Sequence, residues 1–280
     1  MRLIALAGLA GVFAAMLALE RLFPLRRRTR PTAGRWLVNL AMTALAFAAG
    51  ALIVRPAAVY VLGRADAGGF GLLHWLPLPL AGQLVAGVLL MDLSFYWWHR
   101  VNHGSGLLWR FHSVHHVDPD MDVTTSNRFH VVEIGYSAAF RAVQVAVLGV
   151  PLLTYAAYEV IFQAATMFHH SNLRLPVRLE RAIGFVFVTP RMHGVHHSVV
   201  REEVNANYST VFHWWDALHR TLIRNVPQQA VRIGVVGYLS DRDNRLRRLL
   251  TMPFARRKDR GPSPSRPESE RVGPRGRIAE

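Results

Sequence analysis

The chain carries two nearly identical histidine triads: His112, His115 and His116 in "RFHSVHHVD", and His193, His196 and His197 in "RMHGVHHSV". Each reads H-x-x-H-H, so its members stand at i, i+3 and i+4, and on a helix that spacing puts all three imidazoles on one face. His99 and His103 in "HRVNH" precede the first triad, again one helical turn apart. His169 and His170 in "FHHSN" precede the second. Imidazole binds zinc, iron, copper and nickel, so the residue type does not choose the metal. Number says more. One tetrahedral ion takes three or four ligands, whereas these four groups hold 10 of the chain's 14 histidines. That is too many for one such ion and about right for two.

A lone H-x-x-x-H pair is more often two solvated side chains than a metal site. Several such groups brought together are different, because desolvated imidazoles need partners. His74, His213 and His219 fall outside the pattern and carry no such reading. The chain has no cysteine, which removes disulfides, thiolate zinc sites, iron–sulfur clusters and C-x-x-C-H haem attachment. Metal chemistry is thereby confined to histidine nitrogens and carboxylate oxygens.

The elements that must position these side chains are apolar. Half of the 280 residues are hydrophobic, yet 33 are Lys or Arg, and the two kinds are segregated along the chain. Apolar runs at 3–19, 36–54 and 80–98 each have about the length that crosses a bilayer core. A signal peptide competes for the first run, but "RLFPLRRRTR" follows it instead of a small-residue cleavage site. The longer run 131–168 is broken at Gly149 and Pro151 and predicts a hairpin of two membrane-embedded helices. The expected fold is therefore all-α: an integral membrane protein with four to five membrane-embedded helices and a histidine-rich helical cap. Residues 1–78 form the N-terminal spans and loops, 79–254 the catalytic domain, and 255–280 a disordered basic tail rich in Pro, Ser and Gly.

The basic loop Arg26–Arg35 orients the spans, since loops rich in arginine stay in the cytoplasm. Counting outward and back from it predicts that every histidine group falls on the cytoplasmic face. The net charge of +15 would also suit a nucleic-acid binder, but the arginines lie beside apolar segments, which suits anionic lipid instead. No nucleic-acid partner is expected. Phe95, Tyr96, Trp97 and Trp98 form an interfacial belt or line an approach to the histidines.

The ordered series "HRVNH", "HSVHH", "HHSN", "HGVHH" resembles the fatty acid hydroxylase superfamily in its sterol desaturase branch, over about Met91–Thr221. The resemblance implies a membrane non-haem di-iron oxidoreductase, with His99, His103, His112, His115, His116, His170, His193, His196 and His197 as metal ligands and His169 as a possible additional one. "RFHVVE", with Arg128, His130 and Glu133, is similar to the family's R-x-H-P-x-E without its proline. "NANYSTVFHWWDALHRT" is similar to a signature in which Ser209 replaces a glycine and His219-Arg220 replaces Phe-Gly. Support for the ligands from Arg128, His130, Glu133, Asn172, Asn207, Tyr208 and Asp216 follows from the same likeness.

What the resemblance implies chemically is O2-dependent hydroxylation or desaturation, a monooxygenase-type step of lipid biosynthesis, on a sterol-like, hopanoid or fatty-acyl substrate drawn from the bilayer. Two iron ions and O2 are the implied cofactor and co-substrate, and zinc replaces iron readily in imidazole sites during purification. With no cysteine and no G-x-G-x-x-G fingerprint, electrons must come from a separate ferredoxin, b-type cytochrome or flavin reductase. Two alternatives stand beside this one. A membrane zinc-dependent hydrolase would need a carboxylate such as Glu133 or Asp118 at the metal, and a non-enzymatic metal-binding membrane protein would need no substrate.

Overall fold

A computed structural model describes residues 2–259. Among these residues the regular structure is helical, with three isolated β-bridges and no strands. In chain order the helices are α1 (Arg2–Leu22), α2 (Thr32–Ala49), α3 (Arg55–Gly68), α4 (Leu72–Trp75), α5 (Leu80–Gly104), α6 (Leu108–His116) and α7 (Val131–Leu148). They continue with α8 (Leu152–His170), α9 (Val177–Ile183), α10 (Pro190–His196), α11 (Arg201–Val204), α12 (Trp214–Leu218) and α13 (Leu246–Thr251).

Four helical stretches are long and apolar enough to cross a membrane: Leu3–Leu22, Thr32–Arg64, Leu80–Gly104 and Val131–Leu148. Their polarity is turned inside out relative to a water-soluble bundle. Leu3, Ile4, Leu6, Leu37, Leu40, Leu52, Val85 and Val143 face outward, while Glu20, Arg35, Asn39, Asp92, Arg141 and Gln144 are buried. Apolar side chains cover the outside because lipid is there. The polar ones turn inward because a lipid-facing charge is costly. The protein is therefore a membrane protein.

The second span runs further than its apolar stretch alone suggests. Sequence places its end at Val54, but a π-helical segment Gly50–Val54 joins α2 directly to α3. Pro56, near the start of α3, has no N–H for the preceding turn, and the wider π turn lets the helix continue past it.

The expected hairpin at 131–168 is present as α7 and α8, joined through Gly149, whose φ of 60° is left-handed. A Cβ at Gly149 would meet the Phe70 carbonyl oxygen at 2.8 Å, so the turn needs glycine for space as well as conformation. The two arms engage different partners: α7 packs mainly on α3, whereas α8 packs on α1, α5 and α10. The apolarity of α8 is interrupted by Glu159 and it ends in paired histidines, and it is not among the four stretches above.

Past α8 the chain forms only short helices, held together by a few buried anchors. Val114 of α6 and Val195 of α10, both fully buried, occupy the same place in the two H-x-x-H-H motifs. Val114 packs with Met42, Val117 and Leu249, and Val195 packs with Met121, Val231 and Ile233. Each motif thus turns its histidines one way and a valine the other, and burying each valine contributes roughly 1.5–3 kcal/mol. At the position between, Ser113 in α6 corresponds to Gly194 in α10, where a Cβ would lie 2.3 Å from the Arg26 guanidinium.

The loop between α1 and α2 joins the same assembly. Asn172 Oδ1 accepts from the Arg26 backbone N–H, and Asp120 accepts from the Thr29 and Arg30 N–H groups. The tail reading for 260–280 lies outside the described residues. Residues 255–259 are tied back onto the start of α6: Arg110 donates to the Ala255 carbonyl, and Trp109 Nε1 donates to Asp259 at 2.7 Å.

Candidate metal centre

Helices α5, α6, α8 and α10 converge so that nine histidines form two adjoining groups. His99 and His103 from α5, His112 and His116 from α6 and His196 from α10 make the first. His115 from α6, His170 from α8 and His193 and His197 at the end of α10 make the second. Within each group one nitrogen per ring lies within 4.8 Å of all the others. The triads are shared: α6 gives two rings to the first group and one to the second, and α10 does the reverse. The groups abut where His116 stacks on His197, ring centroids 4.1 Å apart. Eight of the nine are buried and His103 is half-buried.

Hydrogen bonding fixes what these rings can offer. A neutral imidazole carries one N–H. His99 Nδ1 donates to the Tyr208 carbonyl at 2.7 Å, and His196 Nδ1 to the Ala206 carbonyl at 2.7 Å. His112 Nδ1 donates to Glu133 Oε1, also at 2.7 Å. Each of these rings therefore presents a bare lone pair at Nε2. Those lone pairs face one another, with His99 Nε2 lying 3.1 Å from both His112 Nε2 and His196 Nε2.

In the second group His170 Nδ1 donates to the Thr166 carbonyl at 2.8 Å. Its Nε2 then faces His115 Nε2 at 2.9 Å and His193 Nε2 at 3.0 Å. The His103 Nε2 has no hydrogen-bond partner at all. Burial holds the His196 pKa down to about 3 and pushes His115, His116, His193 and His197 well below their ordinary value, with neighbouring histidines adding to the effect. Near neutrality these rings therefore carry no second proton. Converging lone pairs repel one another unless a cation sits between them, so the donor set fits metal ions, one to each group.

The orienting carbonyls come largely from one short stretch, residues 206–210. Ala206, Tyr208 and Thr210, at a spacing of two, aim their carbonyls at His196, His99 and His169 respectively. Asp216 fixes this stretch by accepting from the Tyr208 and Ser209 N–H groups and from the Thr221 hydroxyl. Asn207, at φ 53°, donates to the Met192 and Ile223 carbonyls, and so ties the stretch to α10.

The other residues named from sequence lie as follows. Glu133 holds the outer nitrogen of His112. Arg128, fully buried, donates to the Val114 carbonyl inside the first triad and to Asn39 and Asn244. His130 caps α7 by accepting from the Val132 N–H, and its Nε2 meets the Leu250 carbonyl, so it stands outside both groups. Asn172 binds the Arg26 backbone and Glu20 rather than any histidine. His169 is absent from both groups; its Nδ1 donates to the Thr210 carbonyl at 3.0 Å while its ring lies 4.0 Å from that of His193.

Asp118 is taken up elsewhere. It meets Arg35 at 2.8 Å and accepts from Asn39 and Thr125. Burial alone would raise its pKa, but Arg35, Arg128 and these hydrogen bonds outweigh that and hold it at about 2. The same arginine, Arg35, also binds Asp122.

Sequence reading passed over Asp92, a buried carboxylate inside the third span. It accepts from the Val211 and Phe212 N–H groups and from Trp215 Nε1, and so anchors the chain just beyond the carbonyl stretch. Its signal was available: a lone acid in an apolar run is rarely idle. The carbonyls of Thr166, Ala206 and Thr210 left no such signal, because every residue has one.

Comparison with known proteins agrees with this arrangement. The model of the fatty acid hydroxylase family matches residues 84–221, a segment that contains all nine histidines. The ornithine lipid hydroxylase OlsE of Rhizobium tropici is 30% identical over 57% of this chain and 47% of its own length. Human cholesterol 25-hydroxylase is 27% identical over 54% of this chain and 59% of its own. Human alkylglycerol monooxygenase is 28% identical over 47% of this chain and 28% of its own. The chain thus spans about three fifths or less of these relatives. No solved structure matches. Residues 84–221, which carry the two interlocked histidine groups, match the fatty acid hydroxylase family.

Proposed function

We propose that the protein is an O2-dependent membrane lipid oxidoreductase working at two iron ions, with His99, His103, His112, His116 and His196 around one and His115, His170, His193 and His197 around the other. The observation that carries this reading is the set of Nε2 atoms that face one another at about 3 Å, with His99, His112, His196 and His170 turned inward by a carbonyl or carboxylate on the opposite nitrogen. The relatives support the reaction class, since their names are those of lipid hydroxylases and a monooxygenase.

Bound iron supplies dioxygen activation, a chemistry for which proteins rely on cofactors. In balance, R–H, O2, two electrons and two protons give R–OH and water; loss of a second hydrogen instead gives an alkene and two waters. The chain's own residues do the rest. Tyr208, Ala206 and Thr166 carbonyls and Glu133 fix tautomers and ring orientation. Phe95, 6.5 Å from His99 and 4.6 Å from Phe162 by ring centroid, forms an apolar side to the first group from which a lipid approaches. Glu133 and Asp118, the carboxylates a zinc hydrolase would use, are engaged with His112 and with Arg35, so the oxidative reading is the better supported.

The histidine groups and the arginine-rich loop Arg26–Arg35 share one end of the bundle, which supports a cytoplasmic position for both. A separate electron donor, whether ferredoxin, b-type cytochrome or flavin reductase, reaches them there. The reading is tested by incubating the iron-loaded protein with membrane lipid and a reductase under 18O2 and under argon. Oxygen-18 in a lipid product, or an O2-dependent alkene, is expected. Equal turnover without O2 overturns the proposal.

A further inference from the structure

The segment just beyond the carbonyl stretch does not stand clear of the spans. Its anchor, Asp92, is the middle residue of the third span, Leu80–Gly104, and lies about 10 Å along the helix from His99. Asp92 accepts from the Val211 and Phe212 N–H groups and from the Trp215 indole, so residues 211–215 run beside the span at that level. The Phe212 ring packs against the apolar core of the spans, which includes Val88 and Met91.

What this segment turns outward is apolar. Phe185 is 76% exposed and Leu218 68%, and Phe187 and Trp214 are exposed with them. None of the four belongs to the apolar spans. Phe187 stacks on Phe212 at 5.8 Å and Phe212 on Trp214 at 4.9 Å by ring centroid, and Trp214 Nε1 donates to the Phe185 carbonyl at 3.1 Å. The patch continues into the lipid-facing surface: Trp97, exposed on the third span, lies 4.8 Å from His219, the residue that ends α12. Exposed arginines flank these residues in the chain, Arg178 and Arg181 on α9 and Arg220 beyond α12, an arrangement that suits the phosphates of a head-group layer.

The backbone here is paired as a dry medium requires. The N–H groups of Phe185, Val186 and Phe187 donate to the carbonyls of Ala182 and Ile183, that of Val188 donates to Val211, and that of His213 donates to Val186. The Phe185 carbonyl accepts from His213 Nε2 as well as from Trp214. A loop in water needs no such closure, whereas in lipid each unpaired backbone group is costly.

We propose that residues 185–187 and 214–218 form a membrane contact that does not span, seated in the bilayer where acyl chains meet head groups. Phe185, Phe187, Trp214 and Leu218 lie among the chains, and the three arginines reach toward the phosphates. The carbonyl stretch 206–210 leads directly into this contact, so the lipid surface helps to hold it against the histidines. The inference depends on neither bound iron nor turnover.

The chain has no cysteine, so Phe185→Cys and Leu218→Cys each provide a single site for a nitroxide label, at positions exposed enough to leave the fold intact. The full chain is loaded with zinc, which keeps the nickel reagent off the histidines, and reconstituted in phosphatidylcholine nanodiscs. Collisions of the label with lipid-soluble O2 and with water-soluble NiEDDA are then compared by electron paramagnetic resonance. Leu40→Cys, outward on the second span, and Arg232→Cys, exposed on the cap, give the lipid and water references. The labels at 185 and 218 are expected to favour O2 over NiEDDA as the label at 40 does, a reversal of the preference at 232. A preference for NiEDDA at either position overturns the contact. Poor access of both reagents overturns it too, since a second copy or another protein would then cover the face.

Discussion

The Nδ1 of His99, in the third span, donates to the backbone carbonyl of Tyr208, 109 residues later, at 2.7 Å. A side chain at the end of a membrane helix is thereby oriented by the main chain of the cap. Asp216 stands behind that carbonyl, accepting from the Tyr208 and Ser209 N–H groups. Removing it leaves two buried donors unpaired and frees the carbonyl to turn. Asp216→Ala is expected to weaken metal binding by about 10- to 100-fold, read as metal retained against a graded chelator, with helical circular dichroism preserved. Full metal retention would show that the carbonyl stretch is irrelevant to the site.

Glu133 offers a second, independent handle on the same group. Its carboxylate fixes the proton on His112 Nδ1. Glu133→Gln keeps the size but not the charge, and Glu133→Ala removes the acceptor. Metal affinity should fall in the order wild type, Gln, Ala, with about tenfold lost at the first step. The reverse order would place Glu133 outside the site.

The nine histidines were legible in the sequence because a helix repeats about every four residues, so H-x-x-H-H has one geometric meaning wherever a helix forms. The spans were legible for a related reason, since length and apolarity suffice; the second runs on past Val54, where its apolar stretch ends, because a π-helical segment carries it into α3. What joins the two triads was not legible. Ala206 and Thr210 act through carbonyls, which have no residue signature. His130 and Asn172, named from the family likeness, serve a helix cap and the Arg26 loop. Ser209, which departs from the family pattern, accepts from the Asp216 N–H, a contact that the substitution alone does not announce.

Asp92 was readable as a lone acid in an apolar run, and its three donors make a sharp prediction. Asp92→Ala leaves the Val211 and Phe212 N–H groups and the Trp215 indole without their acceptor, which costs about 1–3 kcal/mol for each donor that finds no substitute. Thermal unfolding in detergent should shift down clearly in this variant. A shift no larger than that of an outward-facing substitution such as Leu40→Ala would contradict the anchoring role.

Arg220 adopts φ 59°, in the left-handed region that favours glycine. An L-residue there pays roughly 1–2 kcal/mol, partly offset by the greater freedom that glycine loses on folding. Arg220→Gly should therefore raise stability by about 0.5 kcal/mol, visible as a small upward shift in melting temperature. Destabilisation would mean that the Arg220 side chain makes contributions beyond its backbone.

Asp118 sets a pH dependence. Its folded pKa, about 2, lies below the ordinary 3.8. Its contribution is therefore fully present above about pH 4 and is lost as pH falls through the folded value. The window runs from about pH 4 to pH 2 and is worth about 2 kcal/mol. Wild type and Asp118→Asn should converge in stability across that window, by urea titration in detergent at stepped pH. A constant gap between them would dissociate Asp118 from the Arg35 and Arg128 pairing.

The central claim is that two separate metal ions are held by the two histidine groups. It is tested most directly by iron stoichiometry after anaerobic loading with ferrous iron and removal of loosely bound metal. The account predicts two irons per chain in the wild type and clear loss of one in His170→Ala, whose ring belongs only to the second group. One iron per chain in the wild type, or two retained in His170→Ala, would contradict it.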